Sequence, residues 1–494
     1  MKKILYTVIV LTVLLFAAAP SILGFSLLNI GHAISVSTAL SAKLGCSSYF
    51  VSGFSKEQTV TDLASYSPVV NMVTMEYQGS SKLHGFKQEE LKQDEFSQYQ
   101  FSQYESNQDE TQWDSPKRVT ADLFGIAKTS ATYREGLGCT IDTDITAELD
   151  NISVQNIENP ELEEWPLGDQ ASYDAPFIQE TLDSMVRADN EKGYNTRAML
   201  VIKDGHILAE SYGPNITKNT PLLGWSMAKS LTAIMVGHLE FINAIKPNPT
   251  NLFSQWQNDD RSKLTLQQLL QMSSGLKFDE TYAPGSDATR MLFTAPSASD
   301  IAIVSPLMHQ AGAEFSYSSG TANLLSRFIH EKLGNDSQLS VNYLFEQIFK
   351  PLGMANSIFE MDSTGIFVGS SYLYSSGRDW ARLGLLMLNQ GEINGQRLLS
   401  KDWVKRATTP NLSDNDKRYG YQFWLNSAGN TTNTKTNNKL RWPELPNDAY
   451  AMMGNRQQSV MIIPSSNLVF VRLGWTAGDY PMASNYSALL DITH

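Results

Sequence analysis

The chain has 494 residues, 42% of them hydrophobic and 10% aromatic, enough for two or three folded units and incompatible with global disorder. Its 38 Lys and Arg against 51 Asp and Glu leave a net charge of −13, a field that repels phosphate backbones, so a nucleic-acid partner is excluded. Two cysteines without a CxxC pair, and a His330-Glu331 step with no second His four positions after the first, exclude a zinc ribbon, a thioredoxin-type centre and a zinc-protease helix, and no catalytic metal is expected.

Met1-Lys2-Lys3 is followed by an uncharged run from Ile4 to Ile30, longer than the roughly 7–15 apolar residues of a cleavable signal and past the ~18 that can span a bilayer. Residues 1–40 therefore read as an export signal or membrane anchor. The Lys pair stays cytoplasmic and the rest of the chain lies on the extracytoplasmic side. Ala17-Ala18-Ala19 looks like a cleavage site, but Pro20 follows it directly, which favours an uncleaved anchor in the inner membrane. In an exported chain Cys46 and Cys139 favour a disulfide, two free buried thiols being the alternative.

Residues 41–150 read as an N-terminal extension with a Gln-, Glu-, Asp- and Ser-rich insertion at 88–115, where Phe-Ser-Gln-Tyr occurs at 96–99 and again at 101–104. Such a stretch buries too little apolar surface to offset its chain entropy. A polar, Pro-containing segment, 151–175, reads as a linker, and 176–494 as the main domain. There, Ala198–Ile202 and Ile207–Tyr212 flank an Asp204-Gly205 turn, the signature of a β-hairpin. Ser459–Ile463 and Leu468–Arg472 repeat the pattern. Between them Met227–Ile242 places Leu231, Ile234, Met235, Leu239 and Ile242 on one helical stripe. Thr265-x-x-Gln268 and Ser376-x-x-Asp379 open further helices. Strands at both ends with helices between predict an antiparallel sheet flanked by helices, an α/β (α+β) architecture with an all-helical region.

The sharpest local feature is Gly224-Trp225-Ser226-Met227-Ala228-Lys229 at the start of that helix. Three residues apart on a helix, Ser226 and Lys229 share a face, and the helix N-terminus adds unpaired N–H groups. A nucleophile, a base and an anion-stabilising backbone then stand in one turn. On the tetrapeptide alone, Ser226 as an ordinary N-cap and Lys229 as a solvated side chain explain the sequence as well. A GxSxG elbow is disfavoured, because Ala228 holds its last place.

Further segments follow in order: Leu269-Leu270-Gln271-Met272-Ser273-Ser274-Gly275-Leu276, Phe315-Ser316-Tyr317-Ser318-Ser319-Gly320, Pro351-Leu352-Gly353-Met354, Ser376-Gly377-Arg378-Asp379-Trp380, and Gly454-Asn455-Arg456-Gln457-Gln458. Together with Ser226-x-x-Lys229 they resemble the serine β-lactamase-like superfamily: class C β-lactamases, DD-peptidases, related esterases and 6-aminohexanoate-dimer (nylon oligomer) hydrolases. The resemblance covers residues 176–490 and implies the β-lactamase/transpeptidase-like fold. By position it implies Ser226 as nucleophile, Lys229 as base and Tyr317 as proton shuttle, with the oxyanion held between the N–H groups of Ser226 and Gln458. It requires no cofactor, and it requires Lys229 to titrate well below the usual lysine value near 10.4.

Two departures bear on substrate. Tyr317-Ser318-Ser319 lacks the Asn of the Tyr-x-Asn motif, and Asn455-Arg456-Gln457 replaces Lys-Thr-Gly, with Arg456 as a substitute cation. Phe278-Asp279-Glu280-Thr281-Tyr282 with Ser286-Asp287 looks like the cleft-lining loop of nylon-oligomer hydrolases, which makes Tyr282, Asp287, Asn455 and Arg456 candidate substrate-binding residues. The Cys46/Cys139 region resembles an extension found on some members. The expected function is an exported serine hydrolase acting on a small amide or ester. Its rivals are a peptidoglycan DD-peptidase or β-lactamase on the same fold, and a catalytically silent binding domain.

Overall fold

A computed structural model describes residues 29–79, 116–157, 163–171, 175–427 and 439–493. The uncharged run up to residue 28, the low-complexity insertion and parts of the linker lie outside the described residues. Among the described residues no helix is long and apolar enough to cross a membrane.

The N-terminal unit begins with α1 (Ile30–Cys46) and α2 (Lys56–Tyr66) and continues into the antiparallel sheet β1 (Thr74–Gln78), β2 (Arg118–Leu123), β3 (Ala127–Arg134) and β4 (Gly138–Ile141), paired in that order. The 1–40 segment therefore overlaps a folded helix: Val36, Ala39 and Leu40 are buried in the protein's own core, and Ala42 packs with Val119, Ala121 and Ala131. Cys46 at the end of α1 is bonded to Cys139 on β4.

The main domain opens with α3 (Pro176–Glu191) and the hairpin β5 (Thr196–Lys203) and β6 (His206–Tyr212). Its turn has positive φ at both Asp204 and Gly205, the geometry that the right-handed twist of a tight hairpin demands. Then come α4 (Ala228–Phe241), α5 (Ser319–Lys332) and α6 (Gly377–Leu388). The chain finishes with strands β7 (Trp424–Leu425), β8 (Tyr450–Gly454), β9 (Gln458–Ile463) and β10 (Leu468–Gly474), and with α7 (Met482–Ile492). The six strands form an antiparallel sheet in the order β7-β8-β9-β10-β5-β6. The two hairpins seen in the sequence meet at its centre, with Val471 opposite Leu200.

Alternate residues of β5 point to opposite faces of the sheet. Leu200 and Ile202 join α4 and α6 in the large core, while Met199 and Val201 pack under α3 and α7. Of the stripe predicted on α4, Leu231, Ile234, Met235 and Leu239 are buried. Ile242 is 46% exposed, because the helix ends at Phe241 and the chain turns away. Thr265 and Gln268 form a capping box, and the Ser376 side chain accepts from the Asp379 N–H.

Residues 163–171 do not behave as a free linker. Arg382 on α6 donates to the carbonyls of Pro166 and Gly168, the Trp165 indole N–H donates to Gly205 O, and Arg382 also pairs with Asp169. This strap is held by a buried guanidinium, a charge that burial tolerates only when every donor finds an oxygen.

Candidate active site

Ser226 sits in a 3-10 turn, Trp225–Met227, which leads directly into α4. The residue before it, Trp225, has φ of 49°, a left-handed conformation costly for a bulky side chain and retained only where the surroundings enforce it. Those surroundings are aromatic: the Trp225 ring stacks on Tyr66 of α2 at 5.4 Å and lies 6.1 Å from Trp475. The turn that carries Ser226 is thus braced from the N-terminal unit.

One turn along, Lys229 is 1% exposed. Its Nζ donates to Ser226 Oγ at 3.0 Å, to Ser319 Oγ at 3.0 Å and to the Ser370 carbonyl at 2.9 Å. Burial draws Lys229 down to about 8, against the pull of the Glu280 charge. Tyr317 lies beside the pair, its ring 5.0 Å from Lys229 Nζ. Burial drives that phenol above its ordinary value, the influence of the Ser226 hydroxyl opposing. Two proton-handling groups around one hydroxyl are therefore pushed apart: the amine is readily deprotonated and the phenol is held neutral.

Glu280, expected only as one acid of a cleft-lining loop, and Ser319 complete the cluster. The Glu280 carboxylate accepts from both the N–H and the Oγ of Ser319, at 2.7 and 2.5 Å. Ser319, noted only as the place of a missing Asn, therefore bridges Lys229 to a carboxylate. The phenol of Tyr282 lies 3.5 Å from Glu280, and Tyr282 remains 43% exposed at the cleft.

The remaining site expectations divide. Asp287 is not in the cleft; it accepts from the Asp279 N–H and lies 3.6 Å from Arg290 in the first turn of a short helix capped by Ser286. Its acidic side chain complements the helix N-terminus, and the Ser286-Asp287 step is a helix-start signal that the sequence carried. Asn455, Arg456 and Gln457 form the turn between β8 and β9 instead of a strand beside the nucleophile. The Arg456 guanidinium points to the N-terminal unit, donating to Ser65 O at 2.7 Å. The cation felt by Tyr317 is Arg441, which lies 3.9 Å over Trp424, the ring stacked on Tyr317.

The Gln458 N–H, expected as an oxyanion donor, does not face the nucleophile. In an antiparallel ladder, residues alternate between aiming N–H and C=O at one neighbour and at the other. Asn426 N–H donates to Ala449 O, which makes Leu425/Tyr450 a non-hydrogen-bonded pair and Trp424/Ala451 a bonded one. Ala451 and Met453 then face the β7 side, while Met452 and Gly454 face β9. Gln458, opposite Gly454, has its N–H directed into the hairpin, and its side chain is fixed on Gly474. Met453 lies past the end of β7, on the strand that abuts the Trp225–Met227 turn. The approach is close: a Cβ on Gly454 would stand 2.1 Å from the Gly224 carbonyl, so glycine is required there.

Among the described residues no cluster of three or more His, Cys, Asp or Glu could hold a metal ion.

The family described as Beta-lactamase matches residues 182–488. A 6-aminohexanoate-dimer hydrolase of Paenarthrobacter ureafaciens is 24% identical over 223 residues, 42% of this chain; the match spans only 56% of that relative's length. Among solved structures, a Bacillus anthracis protein named as a candidate 6-aminohexanoate-dimer hydrolase superposes with a TM-score of 0.51 at 19% identity, covering 71% of this chain and 92% of that one. A family VIII carboxylesterase superposes with a TM-score of 0.51 at 13% identity, covering 65% of this chain and 99% of that one. At these identities the structural likeness establishes a shared fold.

Proposed function

We propose that this chain, which belongs to the beta-lactamase family, is a serine hydrolase that cleaves a carboxylic amide or ester through an acyl-enzyme on Ser226. The observation that carries the reading is Lys229: an almost wholly buried amine, lowered to about 8, with its Nζ 3.0 Å from the Ser226 hydroxyl. The names of the matched hydrolases and carboxylesterase agree with it.

In this mechanism neutral Lys229 takes the Ser226 proton as Oγ bonds to the substrate carbonyl carbon. The carbonyl oxygen becomes an oxyanion between the N–H groups of Ser226 and Met453. As the intermediate collapses, the bond to the leaving nitrogen or oxygen breaks and that atom takes the Tyr317 proton, and the resulting phenolate takes a proton back from the neighbouring Lys229 ammonium, whose Nζ lies 5.0 Å from the Tyr317 ring. Water then attacks the acyl carbonyl by the reverse relay and releases the acid. The uncharged run from Ile4 to Ile30, together with the Cys46–Cys139 bond, supports an exported chain tethered ahead of α1.

The test is the mass of the full chain and of Ser226→Ala after treatment with a fluorophosphonate and with a penicillin, alongside turnover of short 4-nitrophenyl esters. Fluorophosphonate labelling and ester turnover that both require Ser226, without a penicillin adduct, are expected. A stable penicillin adduct would move the assignment to peptidoglycan chemistry, and no labelling would sink the enzyme reading.

A further inference from the structure

The four-stranded sheet of the N-terminal unit has two unlike ends. α1 runs alongside β3: Thr38 Oγ1 is hydrogen-bonded to Thr129 Oγ1 at 2.8 Å, and farther along Cys46 is bonded to Cys139, whose register partner on β3 is Tyr133. Helix and strand therefore point the same way, and α1 starts at the end of the sheet that carries the β2–β3 turn. From the Thr38–Thr129 contact, Ile30 lies about 12 Å back along the helix and Ile126 about 10 Å back along the strand, at roughly 1.5 and 3.3 Å per residue. The Gln-, Glu-, Asp- and Ser-rich insertion is attached at the opposite end, where Gln78 faces Arg118.

The end from which α1 starts is apolar. At the turn Phe124 is 71% and Ile126 70% exposed; Ile30 is half-exposed as the first residue of α1, and so is Met72, two residues before Thr74 and its partner Asp122. Phe124 and Gly125 both have positive φ, and the Ile126 N–H donates to Leu123 O, a tight turn whose first place suits Asn or Gly. Phenylalanine is unfavourable there on two counts, as a bulky side chain in the left-handed region and as an aromatic ring in water. The acid of the turn, Asp122, is directed inward, its carboxylate accepting from the Gly125 N–H. Large apolar side chains exposed together at one end of a unit mark a contact surface.

The sequence ahead of α1 identifies the partner. The uncharged run that begins at Ile4 ends at Ile30, level with the turn, and is long enough to span a bilayer. Resting on the reading of a chain tethered ahead of α1, we propose that this end of the N-terminal unit is a membrane-docking surface, with Phe124 and Ile126 entering the interfacial layer of a phospholipid bilayer beside the anchor. Side chains at such a tip reach the ~5–10 Å depth at which apolar faces settle below the headgroups. A single anchor leaves the folded part free to swing, and a second contact fixes its tilt. The tilt matters to the site: Gly285, in the loop that carries Tyr282, lies so close to α1 that a Cβ there would stand 3.2 Å from His32 and 3.3 Å from Asn29. The docked turn holds that rim of the cleft beside the lipid surface.

The experiment uses the full chain reconstituted into phosphatidylcholine vesicles that include phosphatidylcholine doxyl-labelled near the headgroup. Because Cys46 and Cys139 are bonded to each other, a thiol-reactive nitrobenzoxadiazole reports on one introduced cysteine: Lys128→Cys, just below the turn, or Gln78→Cys, at the opposite end, both exposed positions. Emission from the label at 128 is expected to shift to the blue in vesicles and to be quenched by the doxyl lipid, and emission from the label at 78 to do neither. Phe124→Asn/Ile126→Ser, whose asparagine suits the left-handed place in the turn, is expected to abolish the quenching at 128 while the chain still floats with the vesicles. A chain that floats but is quenched equally at both labels, or whose quenching at 128 is unmoved by Phe124→Asn/Ile126→Ser, leaves the tether standing and overturns the docking. A label at 128 shielded from iodide yet out of reach of the doxyl lipid overturns it as well, residues 1–28 or a second copy then being what covers the turn. If the full chain does not float with the vesicles, the tether reading falls and the docking falls with it.

Discussion

Two lysines are buried among the described residues, and their surroundings make them different reagents. Lys43 on α1 meets the Glu360 carboxylate directly, and its ammonium also donates to the Cys139 carbonyl and lies over the Tyr372 ring. Glu360 in turn accepts from Ser47 Oγ and the Cys139 N–H. Burial pulls Lys43 down and pushes Glu360 up, and their mutual attraction works against both shifts. Lys229 has a carboxylate too, but Glu280 is one hydroxyl away, on the far side of Ser319. A carboxylate in contact makes a clasp between two units. One held at the distance of a hydroxyl leaves an amine that still releases its proton near neutrality.

The contrast breaks most visibly on deletion. Lys229→Ala and Ser226→Ala are each expected to lower turnover at least ~10³-fold while far-UV circular dichroism and the unfolding midpoint change little. Lys43→Met is expected to do the opposite. It leaves Glu360 buried without its partner, which costs about 3–5 kcal/mol, read as a lower midpoint in urea. The double variant Lys43→Met/Glu360→Leu recovers most of that loss, because replacing both ends of a buried pair with apolar groups removes the stranded charge. If Lys43→Met unfolds at the native midpoint, the clasp contributes nothing and the comparison loses one half.

How much of this was legible beforehand depends on the distance over which each feature is encoded. Ser226, Lys229 and the start of α4 share one helical turn, so spacing alone brings them together, and the order of the later segments pointed to Tyr317. The first hairpin was legible because a two-residue Asp-Gly turn between alternating strands has one local solution, and the second because Pro464-Ser465-Ser466-Asn467 interrupts two apolar runs with turn-forming residues. Gln458 misled because, in a hairpin, a shift along the ladder by an odd number of residues reverses which edge an N–H faces, and nothing local marks where the turn ends. Glu280 and Ser319 lie 39 positions apart, and their contact depends on how the 278–287 loop folds over α5. The clasp was hidden for the same reason, Lys43 and Glu360 lying 317 positions apart.

The pH profile sharpens the comparison further. The neutral amine is the active form of Lys229, and the fraction neutral rises through its titration at about 8. kcat/KM is therefore expected to climb about tenfold per unit below pH 8 and to level off above it. An amine near the ordinary 10.5 would still be climbing at pH 9 to 10. A profile without a break near 8 would remove Lys229 as the base.

The smallest expected effect separates the hydroxyl bridge from simple burial. Glu280 raises Lys229 against the desolvation that lowers it, so Glu280→Gln removes a negative charge and lets the amine fall further. The break in kcat/KM should move to lower pH, which increases activity on the acid limb relative to the plateau. The Gln carbonyl still accepts from Ser319, which keeps that residue in place for Lys229. A break that stays put would mean that burial alone sets the base, and a break displaced to higher pH would mean that Glu280 reaches Lys229 through position rather than charge. Glu280→Asp keeps the charge but shortens the reach, so it is expected to restore the native break only if the carboxylate can still approach Ser319.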